Sequence, residues 1–123
     1  MTDSKFIDSS VWIDYLYNGK WREVIESEKI ILTSSLSIFE IKKKIAVSKQ
    51  KEDEIKKIIE FIKKRSLIIP IDDSIAEEAA ELSIKNKLGA IDSLIYTSAI
   101  KNNSELITLD NDFRGLEKAK ILN

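Results

Sequence analysis

The 123-residue chain is 43% hydrophobic and 33% charged, enough apolar content for one core and too little length for two comfortable domains. Twenty basic residues nearly balance twenty-one acidic ones, and neither cysteine nor histidine occurs. Disulfides, thiol nucleophiles, Ser-His-Asp triads and the usual zinc sites are thereby excluded, which leaves carboxylates, Lys, Tyr and hydroxyls to carry any catalysis.

Residues 1–6 hold no apolar stretch ahead of a small-residue cleavage site, so no secretory signal is expected and the protein is expected in the cytoplasm. No run approaches the roughly eighteen apolar residues of a membrane span. A first β-type run at 5–8 ends in Asp8, and helical spacing follows at 11–17 and 21–27. The second β-run, 30–33, leads through Ser34 and Ser35 into a helix expected at 38–47, with Glu40 in its first turn. At 53–64, Ile55, Ile58, Ile59 and Ile62 follow the i, i+3, i+4, i+7 pattern, with Lys56, Lys57, Lys63 and Lys64 largely opposite. A third β-run at 66–69 precedes helical patterns at 75–85 and 91–101. In the latter, Ile91, Leu94, Ile95 and Ser98 form the expected buried stripe. A fourth β-run occupies 105–109, and Ile121 with Leu122 suggests a short fifth strand.

Three Gly, one Pro and the lack of any linker or repeat predict a single domain over residues 1–123. Strands separated by helices need crossovers, so the expected fold is α/β in three layers: a mainly parallel central sheet of four to five strands flanked by helices.

Ligands of open parallel sheets bind outside the carboxyl ends of the strands. Asp8 ends the first strand, Asp110 and Asp112 follow the fourth, and Glu40 and Asp92 lie near the starts of helices, so these acids are candidates to gather at one end of the sheet. Each also has a local explanation. Asp8 suits a helix N-cap, Ser37-x-x-Glu40 has the capping-box pattern, Asp92 suits the positive first turn of a helix, and Asp110 with Asp112 suits an Asx turn. Residues 42–65 carry ten Lys/Arg against four Asp/Glu, a local +6, while the remainder is net −7. Such polarity suits an anionic polymer lying across an acidic metal site, or simply a solvated helix face.

The ordered contexts of the acids carry a resemblance. Ile7-Asp8-Ser9-Ser10-Val11-Trp12-Ile13, Ser37-Ile38-Phe39-Glu40-Ile41, Ala90-Ile91-Asp92-Ser93-Leu94-Ile95-Tyr96-Thr97-Ser98-Ala99 and Leu106-Ile107-Thr108-Leu109-Asp110-Asn111-Asp112-Phe113 resemble, in order, the four acidic blocks of PIN domains, especially VapC-type toxins. The resemblance implies an endoribonuclease with Asp8, Glu40, Asp92 and Asp110 as catalytic, metal-binding carboxylates. Asp112 would be an auxiliary metal-binding acid, and Ser9 and Thr108 hydroxyls that orient the carboxylates. One or two Mg²⁺ or Mn²⁺ ions are the expected cofactors, because clustered carboxylates repel and hard cations prefer oxygen ligands. It further implies RNA as substrate, hydrolysed to 5′-phosphate and 3′-hydroxyl ends, a cognate antitoxin as partner, and a homodimer; an acidic cleft beside lysines suits a flexible single strand. Trp12, Trp21 and Tyr17 are available either to stack on bases or to pack in the core.

Three other readings fit less well. A haloacid-dehalogenase-type phosphatase needs an Asp where Ser10 stands, and a receiver-like domain lacks its acidic pair after the first strand. An inactive PIN-like RNA-binding or scaffold module, its acids serving only as caps, is the alternative that remains.

Overall fold

Apolar residues alternate between the two faces of each strand, and this alternation organises the protein. A computed structural model describes residues 4–48 and 50–123. The first three residues of the amino-terminal stretch, and Lys49 of the basic segment, lie outside the described residues. Five strands, β1 (Lys5–Ile7), β2 (Ile31–Ser34), β3 (Leu67–Ile69), β4 (Glu105–Thr108) and β5 (Ala119–Ile121), form one all-parallel sheet in the order β3-β2-β1-β4-β5. In register, Phe6 stands beside Leu32 on one side and Leu106 on the other. The short fifth strand is present, beginning two residues before the expected Ile121.

Among the described residues, six helices cover the sheet: α1 (Ser9–Asn18), α2 (Arg22–Ile25), α3 (Ser35–Val47), α4 (Glu52–Arg65), α5 (Asp73–Asn86) and α6 (Ala90–Lys101). Ile7, Ile31 and Ile107 point to one face, where they meet Val11 and Trp12 of α1, Ile25 of α2, Ile41 and Ile45 of α3, and Ile55 and Ile62 of α4. Phe6, Leu32 and Leu106 point to the other, against Ile95, Tyr96 and Ala99 of α6 and Phe113. Burying a side chain of this size stabilises the fold by about 1.5–3 kcal/mol, so a one-residue slip of any central strand would exchange its two faces and lose both cores. No helix among the described residues is long and apolar enough to cross a membrane.

Three local details depart from the sequence expectations. The second helix, expected over 21–27, spans only Arg22–Ile25, because Trp21 adopts a left-handed φ of 65° and the Arg65 guanidinium takes the carbonyls of Ile25, Ser27 and Lys29. In α6 the buried side is Ser93, Ile95, Tyr96, Thr97, Ser98 and Ala99, while Ile91 is exposed. Trp12, a candidate for base stacking, is wholly buried. Its indole Nε1 donates to Thr33 Oγ1 at 3.1 Å, Thr33 donates to Ser66 Oγ at 2.9 Å, and Ser66 donates to the Ile62 carbonyl at 2.7 Å. This chain of bonds satisfies buried polar groups while tying α1 to the end of α4 through the sheet.

The strand order reverses at β1. The chain moves outward through β2 and β3, then crosses back to β4 on the opposite side of β1. The crevice between the carboxyl ends of β1 and β4 is therefore the switch point at which α/β sheets bind ligands.

Candidate active site

At that crevice the first strand delivers Asp8, a carboxylate only 7% exposed. Its backbone is extended, and its Oδ1 accepts from Ser9 N at 2.9 Å, so Asp8 does cap α1. Capping leaves Oδ2 for two further donors, Thr108 Oγ1 at 2.7 Å and Ser10 Oγ at 2.9 Å. Burial raises the Asp8 pKa, and the bonds from Thr108, Ser10 and Ser9 oppose that rise. The carboxylate is thus locked in place by its own neighbours and by Thr108, one hundred residues away in sequence.

Thr108 is the last residue of β4 and serves both sides of the crevice. Besides donating to Asp8, its Oγ1 accepts from Asp110 N at 3.0 Å. Asp110 then caps the short 3-10 turn Asn111–Phe113, with Oδ1 accepting from Asp112 N at 2.9 Å. The expected Asx turn is present, and it holds Asp110 and Asp112 beside each other. Ser10 closes the crevice from the opposite wall by accepting from Leu109 N at 3.1 Å. This second hydroxyl after Asp8 was not among the sequence candidates, although the Ser9-Ser10 pair was its visible signal.

Glu40 stands on α3. That helix begins at Ser35 and is capped by Ser34, whose hydroxyl accepts from Leu36 N at 3.0 Å. Glu40 therefore lies in the second turn rather than the first, and the capping-box reading of Ser37-x-x-Glu40 is wrong. The Glu40 carboxylate instead accepts from Ser9 Oγ at 3.1 Å. Burial and the charge of Asp8 raise its pKa, against the opposing bond from Ser9.

Asp92 is the third residue of α6, behind an N-cap, Gly89, that offers no side-chain cap. Its pKa is pushed up to about 6, first by burial and then by the charges of Asp110, Asp8, Asp112 and Glu40. All four other acids thus act on this one carboxyl. Ligand oxygens of Asp92, Asp110 and Asp112 lie within 4.8 Å of one another, a spacing that a single cation can bridge, whereas Asp8 and Glu40 fall outside that trio. The oxygen-only donor set suits a hard cation such as Mg²⁺ or Mn²⁺.

Beside Glu40, a groove of about 540 Å³ runs between α1 and α3, lined by Ser9, Ser10, Ile13, Phe39, Lys43 and Val47 among others. Phe39 is 63% exposed, and the Lys43 ammonium lies 5.9 Å from its ring centroid. Of the aromatic candidates from the sequence, Tyr17 is exposed, and Trp21 donates to Asp14 Oδ2 at 2.7 Å and packs against the core.

Comparison with known proteins places this arrangement in a family. Residues 5–119 match the PIN domain profile. A toxin-antitoxin complex from Klebsiella pneumoniae is similar in fold, with a TM-score of 0.78 and 22% identity over 94% of this chain and 95% of that one. VapBC-1 from nontypeable Haemophilus influenzae also aligns with a TM-score of 0.78, at 18% identity, covering 98% of this chain and 97% of the other. VapC20 of Mycobacterium tuberculosis, described as a sarcin-ricin loop cleaving toxin, gives 0.67 at 13% identity over 92% and 95% of the two chains. A comparison with curated protein sequences yielded no significant match. With the family profile spanning nearly the whole sequence and the acids ranged at the switch point of the sheet, the chain belongs to the PIN-domain family.

Proposed function

We propose that the protein is a metal-dependent endoribonuclease acting in the cytoplasm as the toxin of a toxin-antitoxin pair. The observation that carries this reading is the grouping of Asp92, Asp110 and Asp112 within 4.8 Å, with Asp8 and Glu40 close enough to raise the Asp92 pKa. Such a set is unfavourable alone, since like charges at this spacing repel, and a divalent cation relieves it.

In this reading Asp92, Asp110 and Asp112 hold one or two Mg²⁺ or Mn²⁺ ions, and Asp8 and Glu40 close the acidic set from the α1 and α3 side. A bound ion would supply Lewis acidity there, enough to acidify a water and offset charge on the departing oxygen. Ser9 and Thr108 fix the rotamers of Glu40 and Asp8, so those carboxylates need no reorganisation when substrate arrives. Water adds to phosphorus, the bond from phosphorus to the 3′ oxygen breaks, and a 5′-phosphate and a 3′-hydroxyl remain. Glu40 keeps Oε2 outside its bond to Ser9, and in this reading that oxygen accepts the proton lost by water.

RNA as substrate is supported by membership of the family and by Lys43 and Lys44, which line the groove that also holds Ser9, Ser10 and Glu40. An antitoxin partner is supported by structural neighbours that include a toxin-antitoxin complex and VapBC-1. A homodimer is supported by the apolar face of α5 and α6, where Ile84 is 83% and Ile91 42% exposed.

The test is cleavage of a mixed single-stranded RNA pool by the wild type and Asp8→Asn, with Mn²⁺ or with chelator, followed by end-group analysis. Metal-dependent cleavage leaving 5′-phosphates, lost in Asp8→Asn, is expected. Cleavage that persists in chelator or in the variant would sink the mechanism, and RNA binding with no cleavage would favour an inactive scaffold.

A further inference from the structure

The groove between α1 and α3 opens onto Glu40, so a strand with its scissile phosphate at the acidic crevice must pass along it or turn away. One helix lines most of it. On α3, Ser37, Ile41 and Ile45 are buried in the core, and Phe39, Lys43 and Val47 follow each of them by two residues, about 200° around the helix axis. Phe39 is therefore not required by the core, yet it is a large apolar ring left 63% exposed immediately before an acid of the candidate site.

Charge decides what suits this surface. Apart from Glu40 at its inner end, the ionisable groups lining the groove are Lys43 and Lys44, both basic. A flat apolar ring with ammonium groups one turn along the helix offers a nucleotide both things it needs: a face for the base and a counter-charge for the phosphate. The volume of about 540 Å³ lies within the range that encloses small-molecule ligands. Lys43 already lies against the Phe39 ring in a cation-π contact, which holds its ammonium beside the platform until a phosphate draws it away.

We propose that this groove is a subsite for one nucleotide of single-stranded RNA flanking the scissile phosphate, with its base stacked on Phe39 and its phosphate held by Lys43 and Lys44. The proposal rests on the nuclease reading and extends it, since it moves the stacking role from the buried Trp12 to an exposed phenylalanine.

Binding of labelled mixed-sequence single-stranded RNA, followed by fluorescence anisotropy in chelator across a salt series, tests the subsite in the full chain. Phe39→Ala is expected to weaken binding by about tenfold or more at an unchanged salt slope, and Phe39→Trp to retain it. The pair Lys43→Gln and Lys44→Gln is expected to reduce the slope of log affinity against log salt by about 0.7, the value for the single phosphate that the two ammonium groups share. The exposed pair Lys57→Gln and Lys64→Gln on α4 is the control and should leave binding and slope near wild type. All these positions face solvent, and matched melting curves verify folding.

Wild-type affinity in Phe39→Ala, or a loss in the α4 control equal to that of the groove pair, overturns the subsite. So does loss in Phe39→Ala of binding to an apolar peptide probe while RNA binding is kept, since the groove then docks protein. Parallel cleavage in Mn²⁺ separates the two readings. Metal-dependent cleavage and RNA affinity both untouched in Phe39→Ala would overturn the subsite alone, Phe39-dependent binding without wild-type cleavage the nuclease alone, and neither binding nor cleavage by the wild type both.

Discussion

Replacing Asp92 by Asn removes one charge from the most crowded point of the acidic crevice. Oxygens of Asp92, Asp110 and Asp112 lie within 4.8 Å of one another, and two unit charges at that distance repel by about 3.5 kcal/mol at an effective dielectric of 20. Water reaches these side chains, however, and the Asp92 pKa rises only to about 6, so the screened penalty is smaller. We set it at about 1–2 kcal/mol. The substitution also forfeits a favourable charge in the first turn of α6, about 0.3–1 kcal/mol. The metal-free variant should therefore be more stable than the wild type by about 1 kcal/mol near neutral pH, a rise of roughly 3–6 °C in Tm.

The pH dependence identifies the source of that gain. Asp92 titrates near its ordinary value of 3.8 when unfolded and near 6 when folded. Between those values the folded chain binds more protons, so wild-type stability falls as pH rises through the window. Below about pH 4 the aspartate is neutral in both states and the variant gains nothing; above about pH 6 the difference is constant. Thermal unfolding of both proteins in chelator from pH 4 to 8 is the assay. A difference in Tm independent of pH, or an Asn variant less stable at pH 7.5, would refute the electrostatic account of the site.

Three other outcomes are expected. Saturating Mn²⁺ or Mg²⁺, at about one hundred times its dissociation constant, should stabilise the wild type by about 2.7 kcal/mol, and Asp110→Asn with Asp112→Asn should abolish this shift in calorimetric scans. Thr108→Val keeps the side-chain shape but removes the bonds to Asp8 Oδ2 and from Asp110 N; it should cost about 1.5–3 kcal/mol in denaturant unfolding and reduce the cleavage rate by at least tenfold. Arg65→Met keeps the aliphatic stem and loses three bonds to carbonyls, so amide hydrogen exchange should accelerate at residues 25–30 while cleavage is kept.

The fold was legible because its strands are short apolar runs with clear helical spacing between them. Phe6 and Ile7, Ile31 and Leu32, and Leu106 and Ile107 each send one side chain to each face, a pattern visible in the residues alone. Positions of Asp8, Asp110 and Asp112 were legible for the same reason, since they follow strand ends, whereas Glu40 and Asp92 were read from the helical spacing around them. What escaped was contact between distant segments. Nothing local states that Thr108 serves both Asp8 and Asp110, or that Ser10 reaches Leu109 N. The helix bearing Glu40 starts earlier than its apolar spacing suggests, because Ser34 caps it and Ser35 to Ser37 carry little hydrophobic signal. Composition likewise favoured Trp12 over Phe39 as a stacking surface, and only packing reveals that the tryptophan is buried and the phenylalanine exposed.

The bond between Thr108 and Asp8 spans one hundred residues, and β1 has β4 as its neighbour on one side. The two walls of the crevice therefore come from segments about one hundred residues apart, and neither is held without the other. Asp8 and Glu40 stand on the first of these segments, and Asp92, Asp110 and Asp112 on the second. Closing so long a loop is among the slower events of folding. The acidic set is thus among the last features that folding assembles, and a partly folded chain lacks it.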